Sequence, residues 1–362
     1  MENLEQLKST FHHLEVRSSR PFFKKINDYL ILILNSRVLF SIWAIIFFVP
    51  SLFWHLGCYI KIIFTKKIKA TSPVISVGNL EVGGTGKTPL TIEIGKIFKE
   101  ILQKVCIVSY AKSEESLDEP TLISKELPGM KVFYGRSRRN ALLEAFSSNC
   151  DLIIIDDGFQ YFDIKNKIDI VVIDPLVPTV FLIPAGRMRF PLSFLKYADA
   201  IVINKSMVSD YIYKKMLKKF EKYGKPIFEA RYEPNCFVDV KGKKYTLNFI
   251  YGKKVLLICG IAKPDRFINT VYTLQPACIL SAAYPDHFDY SKKDILEIGK
   301  IFYREKCDMV VTTKKDLVKL EKFDVDFPLY AIDIIIKIEP YKIFVEWLMN
   351  KFNSIRCEKI DL

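Results

Sequence analysis

Short apolar runs alternate with helix-like segments over the first half of the chain beyond residue 72. The runs are rich in β-branched residues and nearly continuous, as expected of strands buried on both faces. They read PVISV (73–77), KVCIVSY (104–110), DLIIID (151–156), IDIVVID (168–174) and DAIVIN (199–204). Apolar residues at helical spacing lie between several of them, over 88–102, 138–148 and 209–223. This alternation predicts a parallel α/β sheet with helices on both faces, in a domain covering residues 71–225.

The pattern changes after residue 225 and then resumes. Two extended runs flank Lys241 and Gly242, which predicts a β-ribbon linker over 226–250. A second alternating set follows, with strands at 253–260, 277–283, 308–313 and 327–332 and helices at 264–274, 291–305 and 340–353. We therefore expect a second, smaller α/β domain over residues 251–362.

The longest uncharged stretch runs from Val38 to Ile60 and contains Trp43 and Trp54. Twenty-three helical residues are long enough to cross a hydrocarbon core of about 30 Å. Pro50, basic residues at both ends and scattered aromatic and polar side chains instead suit the membrane interface. We expect residues 1–70 to form a helical, membrane-associated region. The alternative is a pair of buried helices packed on the following domain.

Charge is concentrated in the same region. The 362 residues are 50% hydrophobic, which excludes a wholly disordered chain, and the net charge is +13. Residues 1–70 hold ten Lys or Arg residues and four acidic residues, so nearly half of the excess flanks the apolar stretch. A basic chain could bind nucleic acid, an anionic membrane or a phosphorylated substrate, and this placement favours the anionic membrane.

The eight cysteines form no CxxC pair, and several lie in apolar strand-like runs. We expect them to be buried free thiols in a reducing compartment. With four histidines and no ligand spacing, the sequence does not indicate a zinc site.

A glycine-rich turn between an apolar strand and a helix is the strongest chemical signal, in ISVGNLEVGGTGKTPL (75–90). Such turns present backbone N–H groups, a lysine and a hydroxyl to nucleotide phosphates and Mg²⁺. The predicted phosphate-binding residues are Gly83, Gly84, Thr85, Gly86, Lys87 and Thr88. Glu81 stands where the strict pattern has glycine, so the loop resembles the GGxGK[ST] variant of MinD/ParA-type ATPases, without that group's signature lysine.

The run LIIIDDG supplies a second half for this site, because Asp156 and Asp157 end a buried strand. A carboxylate there would lie beside the Mg²⁺ under the loop, together with Thr88. Strand-end acids are common in α/β proteins, and Asp174 is another example in this chain. Together with the glycine-rich loop, however, the acids predict binding of ATP or GTP with Mg²⁺.

A series of motifs resembles one family, the lipid A 4′-kinases, also called tetraacyldisaccharide 4′-kinases. In order they are VGNLEVGGTGKTP, DEP (118–120), DDGFQ (156–160), PAGRMR (184–189), CGIAKPDRF (259–267), YPDHFDY (284–290) and TTKKDLVK (312–319). The resemblance covers roughly residues 20–345. It implies a P-loop fold and an N-terminal helical region at the cytoplasmic face of the inner membrane.

The resemblance also implies a reaction, in which the γ-phosphoryl group of ATP is transferred to the 4′-hydroxyl of a tetraacylated disaccharide 1-phosphate. The implied cofactors are ATP and Mg²⁺. The expected partners are the acylated disaccharide lipid and an anionic membrane surface. Neither nucleic acid nor a protein partner is expected.

Three residues carry the implied catalytic roles. Asp118 matches the family's catalytic base, and His287, with Asp286 beside it, matches the histidine that partners the base. His287 is the only histidine beyond residue 55, so an imidazole in the rest of the chain has no other source. From the ranges above, we expect the Asp118–His287 pair to lie between two domains that close on ATP.

Arg138 matches an arginine near the phosphates, with Arg136 and Arg139 as alternatives, and Gln160 and Arg189 are weaker matches. Several segments depart from the family pattern. They are SYAKS (109–113) for SRGYG, Tyr161 for His, Phe190 for Glu and Lys314 for Glu. The core of the nucleotide site is kept while its surroundings have changed.

Two other classes of function compete with the kinase. A nucleotide-switched membrane regulator of the MinD/ParA type would have the signature lysine and, usually, a C-terminal membrane helix. A nucleic-acid-binding protein would interleave basic and aromatic residues on one domain, whereas here the charge is concentrated beside an apolar segment.

Overall fold

The fold is described from a computed structural model, which covers residues 11–13, 37–111, 117–176 and 181–357. Most of the predicted N-terminal region before residue 37 and part of the SYAKS segment lie outside these residues. The strands are β1 (Phe11–His13), β2 (Ile68–Asn79), β3 (Val105–Val108), β4 (Lys131–Phe133), β5 (Leu152–Asp156), β6 (Ile164–Ile173), β7 (Ala200–Asn204), β8 (Ile227–Asp239), β9 (Lys244–Tyr245), β10 (Lys254–Cys259), β11 (Cys278–Ala283), β12 (Met309–Thr313) and β13 (Leu329–Glu339). The α-helices are α1 (Arg37–Phe64), α2 (Lys87–Lys99), α3 (Asp118–Glu126), α4 (Arg138–Phe146), α5 (Asp210–Glu221), α6 (Pro264–Tyr272), α7 (Lys292–Arg304), α8 (Lys314–Leu320) and α9 (Tyr341–Cys357).

The chain divides into two compact units that are discontinuous in sequence. The P-loop unit comprises Ser18–Val108, Arg139–Arg231 and Lys337–Leu362. The His287 unit comprises Met1–Arg17, Ser109–Arg138 and Tyr232–Ile336. These divisions differ from the continuous ranges 71–225 and 251–362 expected from the sequence. Ser109–Arg138 belongs with the later strands, and the C-terminal helix α9 belongs with the earlier ones.

The sheet of the P-loop unit is parallel, with strand order β8-β7-β6-β2-β5-β3. Its strands are the predicted β-branched runs, which helices cover because both faces are apolar. Since the strands are parallel, their carboxyl ends share one edge. The glycine-rich loop follows β2 there, and Asp156 ends β5 beside Val77 of β2.

The sheet of the His287 unit has the order β1-β11-β10-β12-β13, and its described pairs are parallel. One apolar cluster, containing Leu256, Tyr290 and Phe302, packs with α7 and α8, and a second, containing Phe267 and Val271, packs with α6. The two extended runs around Lys241 and Gly242 do pair as an antiparallel ribbon, β8 with β9. Gly242 turns the chain with a φ of 82°, which suits glycine.

The apolar stretch Val38–Ile60 lies in one helix, α1, with Pro50 inside it. Within the described residues, Ile45–Phe64 is long and apolar enough to cross a membrane, a test that core helices of soluble proteins also pass. A pair of buried helices is not what forms here. One side of α1 instead contacts the rest of the P-loop unit, to which α1 belongs, and most of its described apolar side chains are exposed.

The expectation that all cysteines are free thiols is wrong for two of them. Cys106 in β3 and Cys150, just before β5, form a disulfide. The two strands are paired neighbours, with Cys106 opposite Ile153, so their amino-terminal ends lie side by side. Cys58, Cys236, Cys259 and Cys307 are free and buried, as the sequence predicts.

Candidate active site

The glycine-rich loop has the backbone that a phosphate site needs. Gly83 and Gly86 have φ angles of 110° and 97°, a left-handed conformation that costs glycine little. Helix α2 begins directly after Gly86, at Lys87. Its first N–H groups and the positive end of its dipole therefore border the loop, which is the arrangement that binds anionic phosphate.

Thr88 and Asp156 lie in direct contact at the carboxyl edge of the sheet. The Thr88 hydroxyl donates to Oδ2 of Asp156 at 3.0 Å, and the Thr91 hydroxyl donates to Oδ1 at 3.0 Å. A hydroxyl and a carboxylate are the hard oxygen ligands that Mg²⁺ prefers, usually together with phosphate oxygens and water. Among the described residues, no group of three or more His, Cys, Asp or Glu side chains could hold a metal by itself. The residues present therefore fit a Mg²⁺ that arrives with a nucleotide.

The Asp157 carboxylate contacts both Lys87 of the glycine-rich loop and Arg189. Lys87 Nζ lies 3.6 Å from Oδ1 of Asp157, and Arg189 Nη1 donates to Oδ2 at 2.9 Å. Gln160 turns back on this segment, with Nε2 donating to the Asp157 carbonyl at 3.2 Å. The predicted residues Asp157, Lys87 and Gln160 are thus brought together, and Arg189 joins them through the PAGRMR segment.

Asp118 and His287 form a hydrogen-bonded pair. His287 Nδ1 lies 3.1 Å and 3.2 Å from the two carboxylate oxygens of Asp118. Asp118 is buried at the start of α3, where Oδ1 also accepts from the backbone N–H of Glu119 at 3.0 Å. Both residues belong to the His287 unit. The expectation that this contact joins two domains is therefore wrong, because Ser109–Arg138 folds with the later strands.

A tight turn after β11 holds His287 in place. Its backbone has a φ of 58°, a conformation that needs support in a residue other than glycine. That support comes from its N–H, which donates to the Gly260 carbonyl and to Oδ1 of Asp286, both at 3.1 Å. Gly260 in turn donates its N–H to Oδ2 of buried Asp316 at 3.0 Å. Asp286, predicted as catalytic from its motif, is thus a backbone acceptor at this turn.

Two lysines on α8 complete the surroundings of Asp118, and the sequence analysis did not single them out. Lys315 and Lys319 are four residues apart, so their side chains share one face of the helix. Lys319 Nζ lies 3.0 Å from Oδ2 of Asp118, and Lys315 Nζ lies 3.6 Å from the same oxygen. The available signal was the spacing of these two lysines within the family motif TTKKDLVK.

Charges around the pair shift the pKa values of both partners. Burial raises the pKa of the Asp118 carboxyl, but the hydrogen bond from His287 and the charges of Lys315 and Lys319 outweigh burial and hold that pKa well below its usual range. The hydrogen bond to Asp118 raises the pKa of His287, against the opposing effects of burial and Lys315. Asp118 therefore stays a carboxylate at neutral pH.

Arg138 belongs to the His287 unit, where its guanidinium lies 4.2 Å from the centre of the Tyr110 ring. Its expected role near the phosphates stays a prediction. Glu81 is buried, in a bridge to Met188.

A model of the tetraacyldisaccharide-1-P 4′-kinase family matches residues 51–353, which is most of the chain. The chain belongs to this family. A tetraacyldisaccharide 4′-kinase of Bdellovibrio bacteriovorus is 30% identical over 275 residues, covering 70% of this chain and 81% of that relative. One from Syntrophus aciditrophicus is 28% identical over 346 residues, covering 84% and 92%.

A solved structure shows the same fold. LpxK from Aquifex aeolicus, crystallised with ATP, superposes with a TM-score of 0.67 at 25% identity. The match covers 85% of this chain and 99% of that one. The P-loop fold expected from the sequence is thereby confirmed, as are the family, its kinase activity and its use of ATP with Mg²⁺.

Proposed function

We propose that this kinase transfers the γ-phosphoryl group of ATP to the 4′-hydroxyl of a tetraacylated disaccharide 1-phosphate. Family membership over residues 51–353 supports the reaction. The observation that carries the assignment of residues is the contact between Asp118 and His287, which joins two family motifs 169 positions apart in the chain. A nucleotide switch that acts through partner binding has no need for a buried acid paired with a histidine.

The P-loop residues bind and orient ATP in this proposal. Gly83, Gly84, Thr85 and Gly86 present backbone N–H groups to the phosphates, and Lys87 adds a positive charge near the transferred group. Thr88 and Asp156 would hold Mg²⁺, with Asp157 beside them. When bound, Mg²⁺ neutralises charge on the phosphate oxygens. Lys87 would leave Asp157 for the nucleotide phosphates, and Arg189 would keep the Asp157 carboxylate oriented.

Asp118 accepts the proton of the attacking hydroxyl. Its carboxylate is ionised at neutral pH, because the hydrogen bond from His287 and the charges of Lys315 and Lys319 outweigh burial and hold its pKa low. His287 positions that carboxylate through Nδ1, and Asp286 maintains the turn that presents His287. General base catalysis of this kind contributes about 10²- to 10⁴-fold to a rate.

Helix α1 would place the enzyme on an anionic membrane, at the cytoplasmic face of the inner membrane. Trp43 and Trp54 donate to the carbonyls of Pro184 and Arg189 at 2.7 Å and 2.8 Å, and Tyr59 bonds Ser193 at 2.7 Å. These anchors span about 24 Å of helix at 1.5 Å per residue. A helix tied to the P-loop unit along that length is suited to lying in the interface with its other face in lipid, and less suited to spanning alone.

A labelled-phosphate assay tests this function. The purified chain is incubated with γ-labelled ATP, Mg²⁺ and tetraacyldisaccharide 1-phosphate in detergent, and label in the lipid is measured. Asp118→Asn should lower transfer by roughly 10²- to 10⁴-fold while leaving ATP affinity within about twofold. Asp289→Asn, in the same motif as His287 but paired with exposed Lys322, serves as the control. ATP hydrolysis without labelled lipid would instead support the nucleotide switch.

A further inference from the structure

We propose that Lys315 is a positioning residue that keeps Nε2 of His287 unprotonated, and that Lys319 holds the Asp118 carboxylate that His287 faces. The proposal rests on the proposed roles of Asp118 and His287. It gives a function to the TTKKDLVK segment, which the proposed reaction leaves without one.

Lys315 contacts both members of the pair and the acids around them. Its Nζ lies 3.3 Å from Nε2 of His287 and 3.6 Å from Oδ2 of Asp118. The same atom lies 3.1 Å from Oε1 of Glu119 and 3.7 Å from Oδ1 of Asp286. One ammonium therefore bridges α3, the turn at 286–287 and its own helix α8.

The contacts of the two ring nitrogens together decide where the imidazole carries its proton. A lysine ammonium has donors only, so an Nε2 atom at 3.3 Å must present its lone pair. The other ring nitrogen, Nδ1, faces a carboxylate and must therefore carry the hydrogen. His287 is thus the neutral Nδ1–H tautomer, which donates to Asp118. Asp118 therefore keeps the hydrogen on Nδ1, and Lys315 keeps a second proton off Nε2.

Protonation of Nε2 would break this arrangement. The ring would then place an N–H against the Lys315 ammonium and would turn toward Asp286, whose Oδ2 lies 3.9 Å from Nε2. The charged groups facing His287 are Asp118 from α3, Lys315 from α8 and Asp286 from its own turn. Lys315 is the one of these that opposes a second proton on the ring.

Lys315 remains charged in this setting. Burial lowers the pKa of its ammonium, but Glu119, Asp118 and Asp286 outweigh burial and raise that pKa above its ordinary value. Lys319 Nζ lies 3.0 Å from Oδ2 of Asp118, 3.1 Å from the Phe288 carbonyl and 3.8 Å from Oδ1 of Asp316. Lys315 therefore acts through fixed charge and donated hydrogen bonds, and does not exchange a proton during the reaction.

The test compares Lys315→Met with a matched change on the same helix. Lys314→Met removes an equal charge, but Lys314 pairs with Glu126 and Asp333 and touches neither member of the pair. Lys315→Arg keeps a positive donor and serves as the conservative variant. Phosphoryl transfer to the tetraacyldisaccharide is measured against pH for each, with ATP affinity and thermal unfolding as accompanying readouts.

We expect Lys315→Met to lower kcat roughly 10- to 100-fold, less than loss of the base itself, with KM for ATP nearly unchanged. Lys315 lowers the pKa of His287. Its removal therefore raises that pKa, and the acid limb of kcat/KM moves to higher pH. Lys315→Arg should recover much of the rate, and Lys314→Met should keep the wild-type profile. An unshifted acid limb in Lys315→Met would overturn the proposal.

Nitrogen-15 NMR of histidine-labelled full-length protein in detergent provides a readout that needs no active variant. His287→Gln identifies the signals of His287. In the unaltered chain, Nδ1 should appear protonated and Nε2 should appear as an acceptor, and in Lys315→Met Nε2 should become protonated at a higher pH than in the unaltered chain. The opposite tautomer in the unaltered chain would refute the proposal even if Lys315→Met fails to fold. Failure of the unaltered chain to phosphorylate the lipid would refute the proposed function and leave this result standing.

Discussion

At the residue scale, the motifs predicted the groups that meet but not what surrounds them. Asp118 and His287 could be named from their motifs, and the structure brings them together at 3.1 Å. Lys315 and Lys319 could not, because their role depends on which face of a seven-residue helix packs against α3. The roles of Gln160 and Arg138 stay predictions for a related reason, since a motif does not state where its side chain points.

The strand-end aspartate tests the proposed magnesium site at this scale. Asp156→Asn removes the charge that a Mg²⁺ would meet while keeping one acceptor oxygen for the two hydroxyls of Thr88 and Thr91. We expect the Mg²⁺ concentration that gives half-maximal transfer to rise by about tenfold or more, because a neutral amide is a weaker ligand for a hard cation. The measurement is the initial rate over a magnesium titration at fixed ATP.

Asp174 supplies the matched control for that titration. It is also a buried aspartate at the end of a strand of the same sheet, following β6, and its Oδ1 accepts from the backbone N–H of Leu176 at 3.1 Å. Asp174→Asn should leave the magnesium requirement unchanged. Equal effects of the two substitutions would show that strand-end charge in general, and not the contact with Thr88, sets the requirement.

At the element scale, long β-branched runs were easy to locate and short polar helices were not. The runs predicted at 151–156 and 308–313 form β5 and β12 within one residue. Helices α3 and α8 escaped prediction because DEPTLISKE and KKDLVKL are short and carry few apolar residues for periodicity to reveal. Such helices depend on tertiary contacts, and these two pack against each other in the His287 unit.

Gly78 of β2 lies against Phe159 in the turn after β5, and a substitution there tests whether this close contact is needed. A Cβ on Gly78 would lie 2.4 Å from the Cβ and 2.6 Å from the backbone nitrogen of Phe159. Gly78→Ala should therefore destabilise the fold by about 1–3 kcal/mol, since the turn must move to accommodate the methyl group. Because that turn follows Asp157, ATP affinity should fall as well. Urea unfolding and ATP titration measure the two effects.

Gly135 is the control for this substitution. An added Cβ there meets nothing within 4 Å, and its φ is not left-handed. Gly135→Ala should be neutral or slightly stabilising, because it only reduces the freedom of the unfolded chain. A neutral result for Gly78→Ala would mean that the turn yields at little cost, and the close packing of β2 would then not explain the glycine.

At the scale of the whole molecule, the sequence predicted a fold class but placed the divisions of the chain differently from the structure. Residues 109–138 follow β3 without any break in composition, so only tertiary contacts such as that of α3 with α8 reveal that they fold with the later strands. The disulfide was hidden likewise, because Cys106 and Cys150 are 44 positions apart and are brought together by strand pairing. The excess of basic residues in positions 1–70, in contrast, could be counted directly from the sequence.

The exposed face of α1 carries the prediction for membrane binding. Ile45, Phe53 and Ile63 are 77%, 70% and 73% exposed, and their contact with lipid would contribute on the order of 1 kcal/mol or more each. Replacing all three with serine should lower binding to phosphatidylglycerol vesicles at least about tenfold. The anchors of α1 on the P-loop unit are untouched, so phosphoryl transfer to detergent-dispersed lipid should persist. Vesicle sedimentation and the labelled-phosphate assay measure these outcomes.

An equally exposed set elsewhere in the chain separates membrane contact from general surface hydrophobicity. Tyr211, Tyr251 and Leu296 are 76%, 67% and 68% exposed and lie on other elements. Serine at these three positions should leave vesicle binding unchanged. If vesicle binding instead falls equally for both sets, α1 is not the membrane-contacting surface. A third outcome is that vesicle binding falls only for the α1 variant, while the unaltered chain binds phosphatidylcholine and phosphatidylglycerol vesicles equally. The apolar face would then contact lipid, and the basic residues around it would add no preference for anionic lipid.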